Sequence, residues 1–172
     1  FLEAKEFIAK LNQKNINNTS VIIASPSVYL DRLVENNINE NIYISAQNCN
    51  ENKSGAFTGE ISCHMLASLD VDYCLIGHSE RRMNYGDTNE VVNKKLIQCL
   101  GSSIIPILCI GESLADRESN KTFEIVKSQL EQALVNINRD LLNKIIIAYE
   151  PVWAIGTGKT ASKEQAQEVH EF

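Results

Sequence analysis

Two carboxylates, one histidine and two glycine-bearing loops carry the chemistry that this chain could perform. Glu150 stands at the end of an apolar run, Ile145-Ile-Ile-Ala-Tyr149, with Pro151 directly behind it. The apolar segment from Val152 to Ile155 follows, then Gly156, Gly158, Lys159 and Thr160. A carboxylate covered by apolar groups becomes more basic, because burial disfavours its charged form. Glycines at 156 and 158 let backbone amides approach an anion closely. The segment therefore reads as a base beside a lid over a small anionic ligand. Its plainer reading is a salt-bridged carboxylate on a rim.

His78 lies in Gly77-His-Ser-Glu-Arg-Arg82, just after another apolar run. A histidine at a helix N-terminus is biased toward the neutral form, since the helix dipole disfavours a cation there. A neutral imidazole can donate a hydrogen bond to an oxygen that is gaining charge. Glu80 is either a partner in that chemistry or one member of a surface network with Arg81 and Arg82. His64 and His170 fall on predicted helices and read as structural or solvent-facing. Cys109, in Cys109-Ile-Gly-Glu-Ser113, reads as packing beneath the site, because no histidine follows it at a telling position. Glu112 is either a solvated loop charge or a partner for the next loop.

These residues share a position: each follows a short β-branched run. The runs are Ser20–Ala24, Ile42–Ala46, Tyr73–Ile76, Ile104–Leu108 and Ile145–Tyr149. They show little polar alternation, as parallel strands buried on both faces do. Between them lie helical patterns, with Phe123, Val126, Leu130, Leu134 and Ile137 on one stripe and Val92, Leu96 and Leu100 on another. Asp87 to Glu90 and Ser162 to Gln165 have capping-box spacing and mark helix starts. Alternation of this kind predicts a parallel α/β sheet with right-handed crossovers. Two architectures fit, an open doubly wound sheet or part of a barrel, and both place the ligand at the carboxyl ends of the strands.

Bulk properties narrow the classes. The chain has 172 residues, 44% apolar and 22% charged, enough for one soluble domain over 1–172. A net charge of −6 argues against nucleic acid and anionic membrane as partners. No run reaches the length of a membrane helix. The five cysteines (Cys49, Cys63, Cys74, Cys99, Cys109) are odd in number and lack C-x-x-C spacing. No disulfide framework or zinc site is expected, and a reducing, cytoplasmic setting is. The chain opens and closes within amphipathic helices, Phe1 to Leu11 and Glu164 to Phe172, so it is expected to be part of something longer.

The loop from Gln47 to Glu60 is long for a βα connection, where about 2–6 residues is usual. It exposes Phe57 between small residues. Either the loop inserts into a partner, or it packs on its own surface. Gly158-Lys159-Thr160 has the look of a phosphate-binding P-loop, but that pattern needs glycine where Trp153 stands.

Taken together, Ile76 to Arg82 and Ala148 to Lys159 closely resemble the two signatures of the triosephosphate isomerases. Ala46-Gln-Asn48, Gly55 to Glu60 and Cys109 to Glu112 are similar to further motifs of that family. The resemblance runs over the whole chain and implies an incomplete (β/α)8 TIM barrel, from its first helix to its sixth. It implies Glu150 as the base that moves a proton between two carbons of a triose phosphate, and His78 as the neutral electrophile. Glu80 is implied as a helper carboxylate, and the Gly156 amide as a phosphate ligand. Pro151, Val152 and Trp153 would form one hinge of a lid, and Lys159, Thr160 and Ala161 the other. Glu112 and Tyr149 would be partners of Trp153. Gln47, Phe57, Thr58 and Glu60 would lie in a homodimer interface when the protein is full length, with Thr58 reaching toward the neighbouring site. The implied reaction interconverts dihydroxyacetone phosphate and glyceraldehyde 3-phosphate in glycolysis and gluconeogenesis. No metal or organic cofactor is implied. The family's first strand, with an Asn and a Lys that contact substrate, should precede Phe1. Its last two strands should follow Phe172. The chain alone is therefore expected to be inactive.

Overall fold

A computed structural model describes residues 2–172; Phe1, counted above in the first helix, lies outside the described residues. The order begins α1 (Leu2–Asn12), β1 (Val21–Ser25), α2 (Ser27–Asn36), β2 (Ile42–Ala46), α3 (Cys63–Ala67) and β3 (Tyr73–Ile76). It continues with α4 (Ser79–Tyr85), α5 (Asn89–Gly101), β4 (Ile105–Ile110), α6 (Leu114–Glu118), α7 (Thr122–Ala133), β5 (Ile146–Tyr149) and α8 (Lys163–Glu171). Short 3-10 turns cover Arg139–Lys144 and Val152–Ala154.

The five strands form one parallel sheet in the order β1-β2-β3-β4-β5. This order separates the two architectures left open by the sequence. A doubly wound sheet reverses its strand order at a switch point. Here every strand pairs with the next one in sequence, as in a (β/α)8 barrel. The sheet is an incomplete TIM barrel.

Strand ends shift by one or two residues from the apolar runs. β4 continues to Ile110 because Cys109 and Ile110 find partners in Ala148 and Tyr149. β1 gains Ser25, which pairs with Ala46. Burial corrects one expectation. β2 and β4 are covered on both faces, but β5 is not, with Ile146 40% and Ile147 45% exposed. β5 has one strand neighbour, so its apolar composition exceeds what the described sheet covers. Ile42, Ile44, Cys74, Ile76, Leu108 and Ile110 of the strands join Ile8, Leu30, Leu66, Val92, Leu96 and Val126 of the helices in one hydrophobic cluster. No helix among the described residues is long and apolar enough to cross a membrane.

Helix starts follow local chemistry. Ser162 caps α8 in a full capping box with Gln165. The box expected at Asp87–Glu90 does not form; Thr88 caps α5 through the Val91 amide. The reason is that Asp87 is already held by Arg81 and Lys95. α7 also ends earlier than its apolar stripe suggests, and Leu134 and Ile137 pack on the core from the segment beyond it. Asn residues serve where tight turns need a left-handed backbone, as at Asn18, Asn120 and Asn136.

Candidate active site

The carboxyl ends of β3, β4 and β5 converge. Gly77 ends β3 with φ of 73°, in the left-handed region where glycine is at ease. The turn makes His78 the N-cap of α4, and the ring Nδ1 accepts a hydrogen bond from the Glu80 amide at 3.3 Å. An Nδ1 that accepts carries no proton, so the neutral ring holds its hydrogen on Nε2. That Nε2 lies 3.3 Å from Glu150 Oε1. The second oxygen of Glu150 accepts from the Ser79 amide at 3.2 Å. Glu150 and His78, 72 residues apart in the chain, thus share one carboxylate-imidazole contact.

Glu150 is fixed from below. Its amide donates to Ile110 O at 2.7 Å. Its carbonyl oxygen lies only 1.7 Å from where a Cβ on Gly111 would stand, so only glycine fits there. Gln129 clamps the same Gly111 through both amide atoms, at 2.9 and 3.0 Å. Cys109 lies beneath, and burial followed by the charge of Glu150 pushes its thiol up. It stays protonated and packs beneath the site, as read from the sequence.

Arg82 was missed as a positioning residue. It donates to Gly77 O at 2.7 Å, Asn89 Oδ1 at 2.7 Å and Cys109 O at 3.3 Å. It therefore ties the end of β3 to the end of β4. Arg81 turns to Asp87. The surface network of Glu80 with either arginine is not formed. The Glu80 side chain is two-thirds exposed, and its carboxylate stands 4.0 Å from His78 Nδ1. That is beyond hydrogen-bond range, and Nδ1 is already satisfied.

The segment expected to form a lid begins at Pro151 and the 3-10 turn Val152–Ala154. Trp153 is buried, and its indole N–H donates to Glu112 Oε1 at 2.9 Å. Glu112 is fully buried and gathers four residues: Trp153, Tyr149 (2.9 and 3.1 Å), Arg117 (3.1 Å) and Thr122 (3.4 Å). It is a partner of Trp153 and not a solvated loop charge. Burial, then the hydrogen bond to Glu112, pushes the Tyr149 phenol up. From Ile155 to Thr160 the segment is exposed, with Gly156 and Gly158 at φ of 67° and 76°. Thr157 holds the loop's own bend by donating to Trp153 O at 2.7 Å. The P-loop alternative fails on geometry: α8 starts only at Lys163, and Trp153 is buried in the Glu112 pocket.

A cleft of about 720 Å³ opens in front of His78, lined also by Gln47, Asn48, Glu60, Tyr85 and Ile155. Gln47 reaches Ala24 O at 3.3 Å, and Glu60 accepts from Asn50 at 2.9 Å. Phe57 is 44% exposed and rests partly on Gly55 of its own loop. Thr58 and Glu60 are exposed beside it.

A family model described as triosephosphate isomerase matches residues 1–172. The chain belongs to the triosephosphate isomerase family. It is 47% identical over 168 residues to triosephosphate isomerase from Acetivibrio thermocellus, covering 97% of this chain and 67% of that protein. It is 48% identical over 172 residues to triosephosphate isomerase from Finegoldia magna, covering 99% of this chain and 68% of that protein. With triosephosphate isomerase from Mycoplasmopsis pulmonis the identity is 52% over 132 residues, 77% of this chain and 52% of that protein. The chain thus spans about two thirds of the length of the first two relatives. Triosephosphate isomerases are aldose-ketose isomerases, and a carboxylate facing an imidazole suits that reaction.

Proposed function

We propose that residues 1–172, as one partial barrel domain, carry the base, the electrophile and the lid of a triosephosphate isomerase. The observation that carries the roles is the 3.3 Å contact between His78 Nε2 and Glu150 Oε1, with Nδ1 occupied by the Glu80 amide. Glu150 takes a proton from the carbon beside the substrate carbonyl and returns it to the neighbouring carbon. His78, a neutral donor at Nε2, stabilises the oxygen that gains charge in the enediolate. A positioned base supplies about 10²–10⁴-fold, and donors aimed at the oxyanion add to it. Glu150 is held here by Ser79 and His78, so its approach to a carbon acid requires it to leave the Ser79 amide.

The exposed segment 155–160 supports the reading of a lid that closes by turning at Pro151–Trp153 and at Lys159–Ala161. Closure brings the Gly156 amide to the phosphate and excludes water, which protects the enediolate. Glu80 acts through the backbone, since its amide sets the His78 tautomer. The loop 47–60 docks onto a second copy through Gln47, Phe57, Thr58 and Glu60, forming a homodimer. The substrate is a phosphorylated triose, placing the enzyme in glycolysis. Five unpaired thiols support a cytosolic setting.

The test is the intact gene product with Glu150→Asp and Glu150→Gln. Turnover is expected to fall at least about 10²-fold for the second, with circular dichroism unchanged. Unchanged kcat would remove Glu150 from the mechanism.

A further inference from the structure

Four of the five buried cysteines meet in the core, although they arrive from separate elements. Cys49 follows β2, Cys63 opens α3, Cys74 lies in β3 and Cys99 in α5. The sulfurs of Cys49, Cys74 and Cys99 all lie within 4.8 Å of one another. The Cys49–Cys99 separation is 3.8 Å, and Cys63 Sγ stands 3.5 Å from Cys99 Sγ. A tetrahedral zinc ion with Zn–S bonds of ~2.3 Å sets neighbouring sulfurs about 3.8 Å apart. The cluster thus has the dimensions of a thiolate site without a disulfide in it. Nothing in the isomerisation uses these groups.

The surrounding charge suits an anionic cluster. Arg81 Nε and Lys95 Nζ both point at Asp87 Oδ2, at 3.1 and 2.7 Å. Two cations on one carboxylate leave this partly buried network positive. Lys95 is itself buried and also donates to Asn48, the neighbour of Cys49, at 2.9 Å.

We propose that Cys49, Cys74 and Cys99, with Cys63 as the fourth donor, form a structural site for a thiophilic d10 cation, zinc(II) above all. Thiolate donors in tetrahedral array select this class. On binding, one proton leaves to solvent for each thiol that becomes a thiolate ligand, and no sulfur changes oxidation state. The metal enters during folding, because all four residues are buried. It pins the loop after β2, α3, β3 and α5 to one another.

The intact gene product is refolded with reductant in the presence of Zn²⁺ or Cd²⁺, and separately with chelator. The expected result is about one metal per chain after gel filtration, with a raised Tm. Cadmium should add thiolate-to-metal absorbance in the near ultraviolet. Cys74→Ser with Cys99→Ser should abolish both, and Cys109→Ser should leave both intact. Should the double variant fail to fold, the cadmium band of the unaltered protein decides. A folded product with no retained metal and no cadmium band overturns the site and leaves four packed thiols. Metal binding that survives loss of Cys74 and Cys99 overturns it equally. Neither result bears on Glu150.

Discussion

Glu150 and His78 are set by residues that never touch substrate. Gly111 is the sharpest case, because its missing side chain leaves the space that the Glu150 carbonyl fills. Gly111→Ala in the intact gene product should force the β5 end away and move the Glu150 carboxylate from His78. We expect kcat to fall more than about tenfold, given that small misplacements of a catalytic group cost this much or more. Thermal unfolding would also come at lower temperature. Steady-state kinetics with a melting curve checks both, and wild-type kcat would show that the backbone relaxes without moving the carboxylate. The role of Gly111 lies in a close approach between strands that sequence spacing does not report. His78 and Glu150 were legible because their types are reactive and their positions follow apolar runs.

At the level of elements, Glu112 joins the β4 turn to the lid, α6 and α7. It is a fully buried charge, stabilised by Arg117 and by donors from Trp153, Tyr149 and Thr122. Removing one partner of a buried charge network is strongly destabilising, on the order of 3–5 kcal/mol. Glu112→Ala should therefore lower stability in chemical denaturation by about that amount. Trp153→Phe keeps an aromatic side chain, smaller than the indole, and removes one donor, a lost bond to a charged group that costs roughly 1.5–3 kcal/mol. It should also free the lid: limited proteolysis near Lys159 is expected to speed up. Equal cleavage rates in the two proteins would mean that the indole bond does not hold the lid. The sequence placed Trp153 in a hinge. It did not show that Glu112 is fully buried, because a loop glutamate is ordinarily solvated.

The whole sheet has five strands, and β1 and β5 each have one neighbour. A closed barrel of this family's fold needs eight, with phosphate-binding turns after the later strands. The 172-residue chain alone is expected to show no isomerase turnover, whereas the intact gene product should show it. Activity from the purified 172-residue chain would mean that five strands suffice. Unpaired strand edges also invite pairing with other copies. Sedimentation of the chain by itself should therefore report association beyond a dimer, against a defined dimer for the intact protein. Phe57→Asp should shift that dimer toward monomer, and an unaltered sedimentation coefficient would take the loop 47–60 out of the interface.

The sequence by itself determined the alternation of strands and helices, the reactive residues at strand ends and the family. Apolar periodicity, capping residues and long motifs are local, so a linear reading captures them. Tertiary structure alone decided the rest. Strand order distinguished barrel from open sheet, because pairing is a long-range choice made among equally apolar runs. Packing revealed Arg82 and Gly111 as positioning residues, placed the Glu80 carboxylate outside hydrogen-bond range of His78, and left β5 half covered. It also brought the sulfurs of Cys49, Cys74 and Cys99, which share no spacing, to within 4.8 Å of one another. Proximity in space depends on how the strands stack, and no spacing along the chain encodes it.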